Sequence, residues 1–369
     1  MILNDNEKLT ILSPKFHPDQ DGLGAFSTLF SLKLGKVFNI NLVTGSGKRL
    51  PEDSKHHFNS ILAFNNWGFS TFCQILFKLV FQKKTYGSKL LIQYVPHTYS
   101  RYSGINLFLP LMLVLLRFLS PEHKIHLFIH ELWHPNNNHP KEKVLHYLHK
   151  IMITISSLTA SKCFFSCSHF YKMLNESAPV IKDKSYLLFV PSNIKNFDYV
   201  GQRVKIVHFG SDHLSKQVPE LLAGLEKLNK KYDFEVEFIG LERPGYCPEN
   251  SSFKFLGRLD DKQVSDKLNE SRYLLAYFSD GVSTRRGSVM GALAHGVNVL
   301  SAKSFTSDEK LINGPLYLSH DNMDSFIELI ENTILINKSS YDSQEIQKFY
   351  SQNFEWKTLI TEITNEVRG

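Results

Sequence analysis

Residues 272–300 constrain the fold more tightly than any other stretch of the sequence. They begin with an apolar run, 273–278, whose continuity predicts a strand buried on both faces of a parallel sheet. A polar turn at 280–283 follows, and a helix should then run as far as Gly296, because glycine commonly ends helices. A second apolar strand starts directly after this glycine. The stretch therefore predicts a strand, turn, helix and strand of an α/β domain.

The turn and the start of this helix predict an anion site. In a doubly wound sheet, the turn that follows a strand lies at the carboxyl edge, where ligands bind. The free N–H groups and the dipole of the helix favour an anion at the same place. Arg285 and Arg286 add positive charge and forked donors suited to phosphate oxygens. Solvated arginines on an ordinary helix are the alternative, but the surrounding glycines and serines favour a phosphate-bearing ligand.

Strands and helices alternate along the rest of the chain, which is typical of parallel sheets covered on both faces. We predict strands near 8–13, 37–43, 58–64, 88–94, 124–130 and 162–167, and then near 204–209, 234–240, 252–256, 272–278, 297–300 and 315–318. We predict helices near 24–35, 68–82, 105–119 and 140–157, and then near 215–230, 262–270, 286–295 and 322–336.

The alternation restarts after a segment, 191–203, whose proline, asparagines and aspartate predict a linker. We therefore predict two doubly wound, Rossmann-like parallel-sheet domains, 1–195 and 196–345, with the ligand in a cleft between them. A C-terminal helix within 346–369 should cross back to the first domain. The length of 369 residues and the apolar content of 42% are sufficient for two cores.

Charge and cysteine usage limit the partners and the compartment. Residues 1–195 contain 22 Lys and Arg against 11 Asp and Glu, whereas residues 196–369 contain 20 against 25. A basic half attracts nucleic acid, anionic lipid or a phosphate-linked acceptor, but no nucleic-acid motif accompanies it, so we expect no nucleic-acid partner. Four cysteines without a CxxC pair and a polar N-terminus without a secretory signal predict a cytoplasmic protein.

The apolar run 105–119 raises the question of a membrane. Its uninterrupted core, 107–116, is too short to span a bilayer, and Arg117 closes it. We expect a buried or membrane-skimming helix here. Together with the basic half, this run predicts peripheral contact with an anionic membrane surface.

Residues 130–134 spell HExxH, the signature of zinc peptidases, which needs both histidines one turn apart on a helix. The preceding residues read as a strand, and Pro135 follows directly, so a helix is not expected. His130 is better placed at the carboxyl end of a strand, where it can donate a hydrogen bond to a phosphate or sugar oxygen of a ligand. A zinc peptidase remains the alternative.

Other candidates occupy equivalent positions. Gly257 and Arg258 follow a predicted strand and should lie at the same edge as Asp280, near a bound base. Lys216 opens the first helix of the second domain, as a phosphate counter-charge or as a solvated lysine. Gly22 and Gly24 follow the first strand, but the turn is too long and the third glycine is missing for a dinucleotide fingerprint, so we predict a glycine loop facing the cleft.

Taken together, these residues resemble the GT-B glycosyltransferases of family 4. The resemblance covers nearly the whole chain, and its strongest part, DGVSTRRGS at 280–288 followed by ALAHGV at 292–297, is similar to bacterial polysaccharide glycosyltransferases. Gly291 stands where the family usually has a ribose-binding glutamate, and Ser211 stands where it has an arginine. The other segments that carry the resemblance are 22–24, 130–131, 190–194 and 255–257.

The resemblance implies a GT-B fold and a retaining hexosyltransferase that moves a sugar from a nucleotide diphosphate-sugar to a saccharide or lipid-linked saccharide. It implies surface-polysaccharide biosynthesis without a cofactor or metal, and His130, Glu131 and Arg286 as catalytic residues. The basic half and the apolar run 105–119 predict that this reaction takes place at the inner face of the plasma membrane. A non-catalytic nucleotide-sugar-binding protein is the alternative in this class. The implied donor-binding residues are Gly24, Lys216, Gly257, Arg258, Asp280, Gly281, Val282, Ser283, Arg285, Gly287 and Ser288, and the implied acceptor-binding residues are His17, Asp21, Gly22 and Leu23.

Overall fold

The chain forms two compact units, each with its own sheet. The first unit comprises Met1–Phe189 and Leu359–Gly369, and the second comprises Val190–Thr358. The division lies six residues before the predicted one. The computed structural model describes residues 7–16, 22–45, 57–100, 105–133, 139–197, 201–210, 217–245, 247, 252–320 and 322–369.

The sheet of the first unit has seven parallel strands in the order β3-β2-β1-β4-β5-β6-β7, so the winding direction reverses between β1 and β4. The strands are β1 Lys8–Ser13, β2 Asn39–Thr44, β3 Ser60–Ala63, β4 Lys89–Tyr94, β5 Lys124–Ile129, β6 Lys162–Phe165 and β7 Ser185–Leu187. The α-helices are α1 Gly22–Leu34, α2 Phe69–Phe81, α3 Lys83–Tyr86, α4 Phe108–Leu119, α5 Pro140–Thr159 and α6 Ser168–Ser177.

Helices cover both faces of this sheet. Phe72 of α2, Leu113 of α4 and Ile153 of α5 belong to one buried apolar cluster with side chains from one face of the strands. On the opposite face, Phe26 of α1 packs against Phe128 of β5, with ring centroids 5.5 Å apart. Because both faces are covered, the central strands are apolar along nearly their whole length, as the sequence predicted.

His126 is an exception inside this apolar layer. It lies in the middle of β5, is 1% exposed, and neither ring nitrogen has a hydrogen-bond partner in the described part of the chain. Burial lowers the pKa of His126 to about 3, and the positive charges of Lys162, Lys124 and Lys89 act in the same direction. The ring stays neutral in the folded chain at any ordinary pH.

We expect His126 to make the fold sensitive to acid. An unfolded histidine has a pKa of about 6.5, whereas His126 in the folded chain has a pKa of about 3. Between these two values, the unfolded chain binds a proton that the folded chain does not bind. Stability should therefore fall by about 1.4 kcal/mol per pH unit as the pH drops below 6.5. His126→Phe removes this term, so urea midpoints at pH 7 and pH 5 should differ less in the variant than in the wild type. Equal pH dependence of the two proteins would contradict this explanation.

The sheet of the second unit has six parallel strands in the order β10-β9-β8-β11-β12-β13, and its winding reverses between β8 and β11. The strands are β8 Lys205–Phe209, β9 Val236–Ile239, β10 Phe253–Phe255, β11 Ser271–Ala276, β12 Asn298–Ala302 and β13 Leu316–Ser319. The α-helices that follow β8 in the chain are α7 Val218–Asn229, α8 Asp261–Glu270, α9 Gly287–Ala294, α10 Glu309–Ile312, α11 Met323–Ile330, α12 Ser343–Phe354 and α13 Trp356–Arg368. Of α13, the residues from Leu359 onward belong to the first unit.

The predicted strand, turn, helix and strand of 272–300 are present as β11, a loop, α9 and β12. The helix ends as predicted, because Gly296 has a φ of 71°, a conformation that few other residues adopt. The α/β class with two doubly wound parallel sheets is thus confirmed.

Candidate functional site

Three neighbouring strands of the second unit end in glycines at the carboxyl edge of the sheet. The amide of Gly240, after β9, donates to the carbonyl of Gly257, after β10, over 2.8 Å. Gly240 has a φ of 85°, and a β-carbon there would clash with the carbonyl oxygen of Gly210, which follows β8. The close approach of these strand ends therefore requires glycine at 240, and it leaves main chain at the edge where ligands bind to such sheets.

Two charged residues lie beside this glycine edge. Arg258 is exposed and directly follows Gly257, as predicted. Glu242 was not predicted: a β-carbon on Gly257 would lie 2.5 Å from its Oε1, so its carboxylate lies against that glycine. Glu242 could have been predicted in the same way as Gly257, because both residues come shortly after a strand and so lie at the carboxyl edge of the sheet.

The loop between β11 and α9 is tied down at several points. The amide of Val282 donates to the carbonyl of Ala302 over 3.1 Å, and the amide of Asp308 donates to the carbonyl of Val282 over 2.9 Å. The fully buried carboxylate of Asp308 accepts from the amide of Thr284 at 2.7 Å and from its hydroxyl at 3.1 Å. These bonds fix the loop against the segment after β12. Asp308 was not predicted from the sequence.

Arg286 and Asp280 form an ion pair across this loop. The guanidinium also lies over the ring of Phe278, 4.3 Å from its centroid, and Arg286 is the N-cap residue of α9. The carboxylate and the ring therefore hold a cation at the amino end of the helix, where the backbone dipole already favours an anion. The sequence predicted both residues at the site but did not predict that they contact each other.

The predicted donor-binding residues differ in how they are presented. Gly287 is exposed and a β-carbon there would meet nothing within 4 Å, while Arg285 and Ser288 are half-buried. The side chains of Val282 and Ser283 are 0% and 1% exposed, so these two residues can offer a ligand only main-chain groups. Gly281 has a φ of 105°, which requires glycine in this tight loop.

The absence of a glutamate at 291 has a structural explanation. Gly291 is buried in α9, and a β-carbon there would lie 3.2 Å from Cδ1 of Ile194 and 3.5 Å from Cδ1 of Leu268. A glutamate would therefore have to displace apolar packing within the second unit. Glycine at 291 is therefore the residue that fits the space left by Ile194 and Leu268.

The carboxyl edge of the first unit presents His130. It follows β5, is half-buried, and its Nε2 lies 2.6 Å from Oε1 of Gln93. Its ring stacks on Phe128 with centroids 4.8 Å apart and meets the edge of Phe26 at 5.0 Å. Since an amide oxygen only accepts, this geometry puts the imidazole proton on Nε2. Glu131 is the next residue and is also half-buried.

Gln93, which was not predicted as a site residue, is fully buried on β4. Its Nε2 has no hydrogen-bond partner within the ranges that the structure describes.

Residues 130–133 form no helix, whereas an HExxH zinc site needs both histidines on one helical turn. Among all the residues that the structure describes, no group of three His, Cys, Asp or Glu side chains could hold a metal ion.

The predicted glycine loop at Gly22 and Gly24 is wrong in one respect. Both residues, with Leu23, belong to the first turn of α1, which begins at Gly22 rather than near 24. The turn is closed by the hydroxyl of Thr28, which donates to the carbonyl of Gly24 over 2.8 Å. Five residues of the sequence predictions lie outside the described residues: His17, Asp21, His134, Ser211 and Lys216.

Solved structures share this architecture across almost the whole chain. Sucrose-phosphate synthase from Thermosynechococcus elongatus superposes with a TM-score of 0.71 at 10% identity, over 98% of each chain. Anabaena HepE, in complex with UDP and glucose, gives 0.69 at 12% identity, over 98% of this chain and 100% of that one. A glycosyltransferase from Rickettsia africae gives 0.67 at 14% identity, over 98% of each chain. No protein-family model and no curated protein matches the sequence.

These likenesses, with the two doubly wound sheets, show that the fold is the GT-B fold. At 10–14% identity they show the fold alone, because one fold supports many functions.

Proposed function

We propose that this chain is a glycosyltransferase that uses a nucleotide diphosphate-sugar as donor. The observation that carries the proposal is the Asp280–Arg286 pair at the amino end of α9. It fixes a guanidinium and a helix N-terminus at the carboxyl edge of a doubly wound sheet, the arrangement that suits a diphosphate. The likeness to HepE, which binds UDP and glucose on the same fold, supports this choice of ligand.

The donor would lie along the edge of the second unit. The diphosphate would meet Arg286 and the amino end of α9, with Arg285, Gly287 and Ser288 beside it. The base would lie near Gly257 and Arg258, and the carboxylate of Glu242 is suited to accept from a ribose hydroxyl, a role that Gly291 cannot fill. Lys216, the main chain of 281–283 and Gly24 complete the proposed donor site.

The proposed reaction forms a glycosidic bond from an acceptor oxygen to the anomeric carbon and breaks the bond from that carbon to the diphosphate. Negative charge develops on the departing diphosphate, and Arg286 with the dipole of α9 would stabilise it. In a retaining, front-face reaction, the departing diphosphate takes the proton of the acceptor hydroxyl. The Nε2–H of His130, which donates to Gln93 in the structure, would donate instead to a sugar or phosphate oxygen of the bound donor. Glu131 is the carboxylate available if a base is needed.

The acceptor proposed is a saccharide or lipid-linked saccharide of a bacterial surface polysaccharide, bound by the first unit with His17, Asp21, Gly22 and Leu23. The transferred sugar would be a hexose, no metal or cofactor would take part, and the reaction would occur at the cytoplasmic face of the plasma membrane. The basic charge of residues 1–195 supports a phosphate-linked acceptor at such a surface.

A panel of nucleoside diphosphates and nucleotide-sugars in a thermal-shift assay tests the proposal. A bound ligand stabilises the folded chain according to its concentration and affinity, so one base should raise the melting temperature at millimolar concentration. Release of the diphosphate, measured with that donor and saccharide acceptors, then separates a transferase from a protein that only binds nucleotide-sugars. No shift with any member of the panel would contradict the proposal.

A further inference from the structure

The outer surface of α2, α4 and α5 is unusually apolar. These helices lie side by side on one face of the first unit's sheet, with α4 between the other two. Six aromatic side chains on their outer sides are exposed by 40–87%. We call this surface the apolar face, and its exposed aromatic residues are Phe69, Phe77, Phe81, Phe108, Phe118 and Tyr147.

The middle helix shows why this surface needs a partner. The inner side of α4 is buried in the core, with Leu109, Leu113 and Leu116 at 0% exposure. Its outer side is also apolar, with Leu111 48% and Phe118 87% exposed. A helix at a water-exposed surface normally carries polar residues on its outer side, so α4 has the composition of a helix surrounded by apolar groups.

The exposed side chains form a continuous surface rather than scattered residues. The rings of Phe69 in α2 and Phe108 in α4 meet with centroids 5.5 Å apart, which joins the two helices on their outer sides. Phe77 and Phe81 contact each other at 5.0 Å, one turn apart on α2. Contiguous apolar surface of this kind marks interaction sites.

The charge of the apolar face is predominantly positive. No Asp or Glu occurs from residue 54 to residue 121, which includes all of α2 and α4. Lys84 is exposed just after α2, and α5 has a single acid, Glu142. The basic residues of the three helices are Lys78, Arg117, Lys141, Lys143 and Lys150. Exposed phenylalanines beside lysines are typical of surfaces that enter the headgroup region of anionic bilayers.

We propose that the apolar face docks on an anionic phospholipid leaflet, with Phe81 and Phe118 among the side chains that enter the acyl region. A second copy of the chain is the less favoured occupant, because a twofold contact through this face would bring its four lysines and Arg117 together with Glu142 as the single acid to pair them. Of the described helices, none is long and apolar enough to cross a membrane. The apolar face would be the surface through which the proposed glycosyltransferase contacts the membrane. Only the biological role of this docking rests on the proposed function.

Flotation with vesicles tests the docking directly. The full-length chain should float with phosphatidylcholine vesicles that contain 30% phosphatidylglycerol at low salt, and much less with pure phosphatidylcholine. The double variant Phe81→Ser/Phe118→Ser should bind the anionic vesicles at least about 10-fold more weakly, because two phenylalanines no longer leave water. The matched control is Phe305→Ser, which changes a phenylalanine that is 73% exposed in the second unit and should bind like the wild type.

Absence of wild-type flotation, or equal flotation of the double variant and the wild type, would overturn the docking proposal. A wild-type dimer in analytical ultracentrifugation that the double variant loses, without vesicle binding, would assign the face to a second copy instead. Nucleotide thermal shifts measured on the same proteins separate the two proposals. Normal shifts without vesicle binding would leave sugar transfer standing, and vesicle binding without shifts would leave only the membrane contact.

Discussion

Replacement of Arg286 by alanine should lower the rate of sugar transfer 100- to 1,000-fold, the range for loss of one preorganised group that stabilises charge in the transition state. The guanidinium is held at the amino end of α9 by Asp280 and by the ring of Phe278. Little reorganisation would be needed as charge develops on the departing diphosphate, so the loss should appear in kcat as well as in kcat/KM. The measurement is the steady-state release of diphosphate from the preferred donor.

Two further variants make this prediction specific. Arg272→Ala removes an arginine at the amino end of the neighbouring strand β11, where it bonds to Lys338 and Ser340, and should leave the rate unchanged. Asp280→Asn removes the charge that holds Arg286 and should cost less than the loss of Arg286 itself. Rates near normal in Arg286→Ala, with the melting temperature unchanged, would exclude this residue from the donor site.

His130→Ala should reduce turnover about 100-fold, because it removes a donor whose proton is held on Nε2 by Gln93. His130→Gln keeps a donor of similar reach and should recover part of the rate. His126→Phe is the matched control, since this histidine is buried within β5, four residues before His130, and should not affect transfer. If His130→Ala and the control had the same rate, His130 would have no part in the reaction.

The fold class, with its two doubly wound parallel sheets, could be predicted because buried strands have recognisably apolar sequences. The strands of both sheets are short apolar runs, and the glycine that ends α9 is required by its positive φ. Elements whose sequences are less apolar were not predicted. The strand β7 has only three residues, each half-buried, and α6 has a largely polar sequence. These two are fixed by packing against neighbours that a single sequence does not specify.

The positions of the candidate-site residues at the sheet edges could be predicted from the sequence, but their contacts with one another could not. The rule that ligand groups follow strands identified His130, Arg258, Asp280 and Arg286. It did not show that Asp280 pairs with Arg286, because that contact depends on the path of a loop held from another segment by Asp308. Gln93 and Asp308 act through buried hydrogen bonds, which have no periodic pattern in the sequence.

Binding of a nucleotide diphosphate-sugar at Arg286 is tested most directly by a calorimetric titration of nucleoside diphosphates, beginning with UDP, into the wild-type chain and into Arg286→Ala. We expect one saturable site for at least one base in the wild type. We also expect binding at least 10-fold weaker in the variant, about the scale for loss of a charge-assisted hydrogen bond. No saturable binding of any nucleoside diphosphate, or equal affinity in both proteins, would contradict this expectation.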